Sequence, residues 1–172
     1  MANTTFSGPV ISKNGFTSTG PGITVSLTAD TTLTVATHAG RILLCNDADG
    51  KFTLPSINID SNGATAGDND VNNLNNIGAT FTFFVETAAT DMDIKTDGTD
   101  KFKGAIMIGV DDGSKKAFVP GASNDVITMN GSTKGGIVGS VVSFTAIDTA
   151  TYMVHNSLLI GSGTIVTPYA DA

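Results

Sequence analysis

Two neighbouring stretches, ITVSLT (residues 23–28) and TTLTVAT (31–37), alternate an apolar residue with Thr or Ser. That two-residue period puts apolar side chains on one face of an extended strand and hydroxyls on the other. Comparable runs return about every ten residues, the spacing of an all-β domain. They are RILLC (41–45), KFTL (51–54), IGATFTFFVE (77–86), DMDIK (91–95), FKGAIMIG (102–109), KKAFV (115–119), NDVITMN (124–130), IVGSVVSFTA (137–146) and TYMVHNSLLI (151–160). No stretch repeats its apolar residues at the roughly 3.6-residue period of a helix. The expected fold is therefore all-β, a compact β-sandwich or barrel of about ten to twelve short strands with an extended N-terminal arm.

Composition agrees. Thr is the commonest residue, Glu86 is the only glutamate, and Gly, Asn and Asp are plentiful. Such a chain is poor in strong helix formers and rich in strand and turn residues. Ala29-Asp30 and Asn46–Gly50 read as tight turns between paired strands, and Asp111-Asp112-Gly113 as a hairpin. NGSTKGG (130–136) reads as a hairpin turn as well. Residues 56–76, dense in Asn and Asp, form a long loop rather than part of the core.

The formal net charge is −7 and Arg41 is the only arginine. Phosphate binding draws on clustered Lys and Arg, so this chain is not expected to bind nucleic acid. No apolar run approaches the length of a membrane helix, so no membrane partner is expected. The N-terminus lacks the charged-then-apolar pattern of a secretion signal. Cys45, the single cysteine, lies in an apolar run and reads as a buried thiol acting as a small hydrophobe.

Catalytic constellations are not legible. His38 and His155 are distant in sequence, no Gly-x-Ser-x-Gly elbow occurs, and no pair of aspartates is singled out for glycoside hydrolysis. Calcium loops fail at obligatory positions. Aligning Gly50 with the loop glycine puts Cys45 first and Ser56 last; around Asp68, Asp70 and Asn72, Asn73 replaces the glycine and Ala79 the final Glu. NGSTKGG also lacks the spacing of a phosphate loop. No catalytic residue, metal or cofactor is expected, and the chain is read as a non-enzyme.

The opening TTFSGPVISKNGF (4–16) is too broken by Gly8, Pro9 and Gly15 for a helix, yet carries Phe6, Val10, Ile11 and Phe16. Thr17–Gly22 follows as a linker of small residues, so residues 1–20 are read as arm and linker and 21–172 as the β domain.

The same opening, MANTTFSGPVISKNGF, resembles the N-terminus of virion structural proteins of tailed bacteriophages, marine ones especially. A second resemblance runs through GRILLCNDADGKFTLPS, GATFTFFVE, NDVITMNGSTKGGIVGSVVSFTAI and GSGTIVTPYADA. The family's long fibre-like repeats are missing from this chain, which suits a compact protein of the head surface. The resemblance implies a capsid decoration, or cement, protein on the outer surface of the virion. Its partners would be the major capsid protein and sister copies, as a homotrimer. Thr4, Thr5, Phe6, Pro9, Val10, Ile11 and Phe16 would then contact the shell. The alternative is the receptor- or carbohydrate-binding head of a tail fibre, spike or adhesin. Long apolar strands such as FTFFV and VVSFTAI also raise the expectation that sister subunits cover exposed strand edges.

Overall fold

The computed structural model describes residues 23–58, 76–111 and 113–172. In chain order the elements are β1 (Thr24–Leu27), β2 (Thr31–Thr32), α1 (Val35–His38), β3 (Ile42–Cys45), β4 (Lys51–Thr53), β5 (Thr80–Val85), β6 (Met92–Lys95), β7 (Lys101–Lys103), β8 (Ile106–Gly109), β9 (Lys115–Phe118), β10 (Val126–Met129), β11 (Val141–Asp148), β12 (Thr151–Ile160) and β13 (Tyr169–Ala170). They form two sheets. The larger has the order β1-β3-β5-β11-β12-β8-β9, with β7 pairing the start of β12; the smaller has the order β13-β10-β6-β4-β2. The all-β expectation is met, and the architecture is a two-sheet sandwich.

The first half is wound rather than folded back. β1, β3 and β5 lie parallel in the large sheet, and β2, β4 and β6 follow one another parallel in the small sheet. Each rung therefore crosses from one layer to the other and returns. The register stacks Val25 on Leu43 on Phe83, and Leu27 on Cys45 on Val85. These residues are the inward set of each alternation, so the winding lays apolar on apolar without breaking the period.

Ala29-Asp30 and Asn46–Gly50 are thus corners between layers, not the hairpin turns their composition suggests. A hairpin would keep Leu27 and Leu33 in one sheet; a corner lets both face the space between the sheets, where each is 2% exposed. Side chains bind the corners to one another. The Asp30 carboxylate accepts from the Lys51 amide at 2.8 Å, while the Asn46 amide donates to Ser26 Oγ at 2.8 Å and Glu86 Oε2 at 2.7 Å. A Cβ at Gly50 would stand 2.6 Å from the Phe52 ring, which explains the glycine.

TTLTVAT is strand only at Thr31–Thr32. Thr34 then caps the four-residue helix α1, its Oγ1 accepting from the Thr37 amide at 3.4 Å. His38 consequently lies in a helix rather than at a strand end, buried, with Nδ1 2.9 Å from the Thr34 amide.

The second half is largely antiparallel. β11 lies between β5 and β12, and β8 and β9 form the hairpin expected around Asp111. FKGAIMIG breaks at Gly104, whose φ of 125° and close approach to the Val154 carbonyl exclude a side chain. NGSTKGG closes on itself through a Ser132–Gly135 bridge, but the strands on either side, β10 and β11, belong to different sheets. It is a corner too. FTFFV, VVSFTAI and TYMVHNSLLI, expected to present exposed edges, supply β5, β11 and β12 in the middle of the large sheet.

Between the layers runs a chain of rings. Phe83 stacks on Phe52 of the opposite sheet with centroids 6.2 Å apart and meets Phe144 edge-on at 5.7 Å; Phe144 contacts Phe102 at 5.0 Å. All four are fully buried or nearly so. Replacing Phe83 by Ala should cost about 3–5 kcal/mol in chemical denaturation, the range for emptying a large aromatic site. A loss under about 1 kcal/mol would show that Phe83 does not hold the layers together.

An apolar row across the outer face of the large sheet

The outward-facing positions of the large sheet do not read uniformly polar. Leu44 pairs with Phe84, Phe84 with Val141, Val141 with Leu158, Leu158 with Met107, and Met107 with Ala117. Six adjacent strands, β3-β5-β11-β12-β8-β9, thus place one apolar residue each in a single cross-strand row. Leu44, Phe84 and Val141 are half-buried, while Leu158 and Met107 are 49% and 43% exposed. With strands about 4.8 Å apart, the row is roughly 24 Å long. Ile42, 42% exposed, widens it at the β3 end. Near its other end a cleft of ≈ 450 Å³ opens between Gly109, Val110, Ile137, Leu158 and Ile160.

On the Thr82 side the next two rows, apart from Ile42 and Met153, are polar and largely self-satisfied. Thr82 and Ser143 hydroxyls meet at 3.0 Å, Thr80 and Thr145 at 2.7 Å, and Thr145 meets His155 Nε2 at 2.8 Å. Groups bonded to one another are costly to strip from their partners. What this face offers a newcomer most cheaply is its apolar row. Exposed apolar patches rimmed by polar groups are found where proteins meet other proteins, membranes or ligands.

Elsewhere the polar groups have structural work. Lys51 Nζ lies 3.0 Å from Asp91 Oδ2 and 3.0 Å from Asp93 Oδ2, so an ammonium ion supplies positive charge to the acidic corner. Burial and then hydrogen bonds to Asp93 and Asp91 act on that ammonium, with a net upward shift in its pKa. Lys101 pairs with Asp125, whose side chain is 5% exposed. Asn76 closes the base of the long loop by accepting from the Asn58 amide and donating to the Ser56 carbonyl, each at 2.8 Å. Among the described residues, no three His, Cys, Asp or Glu side chains converge as a metal site requires.

Both tyrosines point inward. Tyr152 donates to the Pro55 carbonyl at 2.6 Å and Tyr169 to the Gly104 carbonyl at 2.8 Å. Burial raises the pKa of both phenols. The arm residues Thr4, Thr5, Phe6, Pro9, Val10, Ile11 and Phe16 lie outside the described residues, as do the linker and residues 59–75.

The apolar row was not singled out from sequence, although its signal is there. Leu43-Leu44, Phe83-Phe84, Val141-Val142 and Leu158-Leu159 each put an apolar residue where alternation calls for a polar one. Only the register reveals that these irregularities align. No protein-family profile, curated protein or solved structure matches this chain.

Cys45 is fully buried on the inner face of β3, and burial pushes its thiol up to about 12. At pH 8 the native protein should not react with an aromatic disulfide reagent, whereas one thiol per chain should react after denaturation. Prompt native-state reaction would mean that β3 opens readily.

Proposed function

We infer that this protein is a non-enzymatic structural component of a tailed-bacteriophage head, a decoration protein on the outer capsid surface that stabilises the shell. The observation that carries the reading is the apolar row of Leu44, Phe84, Val141, Leu158, Met107 and Ala117 on a face whose hydroxyls bond to one another. Such a surface suits protein–protein contact, not turnover of a small substrate. The resemblance of the N-terminal and strand motifs to virion proteins supplies the setting. The major capsid protein is the shell partner, with Thr4, Thr5, Phe6, Pro9, Val10, Ile11 and Phe16 as its contacts, and sister copies complete the assembly.

Each buried large side chain of such an arm contributes roughly 1.5–3 kcal/mol against a partner surface. A protein that binds the assembled shell and not its loosened form stabilises that shell by mass action. The carbohydrate-binding alternative is disfavoured because stacking needs open rings. Phe52, Phe81, Phe83, Phe102, Phe144, Tyr152 and Tyr169 are buried, and among the described residues the half-buried rings are Phe84, within the apolar row, and Phe118, on a different strand, β9.

Quantitative mass spectrometry of purified virions tests the assignment. Copies on the order of hundreds per particle are expected, since a decoration protein repeats with the capsid lattice. A dozen copies or fewer would assign the protein to a tail or vertex and overturn the reading.

A further inference from the structure

We propose that the outer face of the large sheet pairs with the same face of a second copy about a two-fold axis running along β12 near Leu158. This rests on the reading of the protein as one whose work is assembly, and it names the occupant of the apolar row. It also replaces the three-fold association that the resemblance implies with a two-fold one.

The argument begins with charge. Glu86 follows Phe84 by two residues at the end of β5, and Lys115 pairs with Gly109, two residues beyond Met107 on β8. β5 and β12 each run antiparallel to β11, and β8 runs parallel to β12. β5 and β8 therefore point the same way. Glu86 and Lys115 consequently occupy one row, a step beyond the apolar row, with Glu86 by the third strand of the sheet and Lys115 on the seventh. Both are exposed. Neither has an ion-pair partner among the described residues.

An isologous contact requires that if one residue meets another, the second also meets the first across the axis. β12 is the fifth strand in the order, midway between the third and the seventh. A two-fold axis along it superposes β5 on the partner's β9 and β11 on the partner's β8. Leu158 then meets its own counterpart, Val141 meets Met107, and Phe84 meets Ala117. The same operation sets Glu86 against Lys115, twice. Apolar residues thus meet apolar ones and opposite charges meet, with no adjustment of register.

Size sets the strength. Under this axis the five strands from β5 to β9 meet, while β1 and β3, with Leu44, overhang. These strands span about 19 Å and six residues of strand about 20 Å, so the contact covers roughly 400 Å² per copy before side-chain relief is counted. Standard interfaces bury about 800 Å² per partner, which makes this a reversible dimer, not an obligate one.

The test is sedimentation velocity on the full chain, without shells, from low to high micromolar concentration. The expected mass rises toward twice 17.5 kDa. Glu86→Lys and Lys115→Glu should each weaken association by about tenfold or more, through like charges brought together. The double exchange should restore it to within about threefold of the wild type, because the pair is re-formed with its signs reversed. Leu158→Asp, at a half-exposed position, should give a monomer with an unchanged far-ultraviolet spectrum and melting temperature. A wild type that stays monomeric throughout overturns the proposal. So does a mass of three chains, or a double exchange no better than either single one. Should Leu158→Asp unfold the chain, the charge exchanges still decide. Binding of these variants to purified heads, measured separately, reports on the decoration reading alone, so the two can fail independently.

Discussion

The packing of Phe83 between the two sheets is the contact on which the rest of the molecule depends. Its ring joins Phe52 of the small sheet to Phe144 of the large one, and through Phe144 to Phe102. Phe83 can reach both because β5 is the third turn of a parallel winding and, on its other side, the first partner of the antiparallel half. One strand thus belongs to both halves of the fold. Rings of this size dominate core energetics, and their offset and edge-on contacts add to what area burial alone gives.

That constraint also shapes the surface. Because β5, β11 and β12 are committed inward through Phe83, Phe144 and Tyr152, their outward positions are free to carry something else. Near the centre they carry Phe84, Val141 and Leu158; beside these they carry Thr and Ser. The hydroxyl pairs Thr82–Ser143 and Thr80–Thr145 make the polar rows poor partners for a newcomer, since each hydroxyl already has a bond to lose. The apolar row has only water to lose. A face built this way favours docking another protein surface over holding a polar ligand.

Much of the architecture was legible in residue order. Alternation in ITVSLT, FTFFV and VVSFTAI marked strands, Asp111 and Gly113 marked the β8–β9 hairpin, and the apolar run around Cys45 marked a buried thiol. Strand direction was not legible. Periodicity reports which face a side chain takes, and says nothing about whether the next strand returns beside it or crosses to another layer. Ala29-Asp30 and Asn46–Gly50 have the composition of hairpin turns and serve as corners between sheets instead. The helix at Val35–His38 was hidden because Val35 and Thr37 favour strands, while the cap supplied by Thr34 and the need to cross back to the large sheet decided otherwise. The apolar row was hidden for a different reason. Each of its residues is a small irregularity within one strand, and only cross-strand register turns six irregularities into a surface.

The central claim is that this row is a contact surface for protein. Hydroxyl-radical footprinting tests it most directly, with the protein free and dilute, then concentrated or mixed with purified heads. Leu158 and Met107, on the row, should lose reactivity on association. Ile23 and Val35, 74% and 40% exposed and outside the strands β5 to β9 that meet, should keep theirs. Undiminished reactivity at Leu158 and Met107 under both associated conditions would contradict the account.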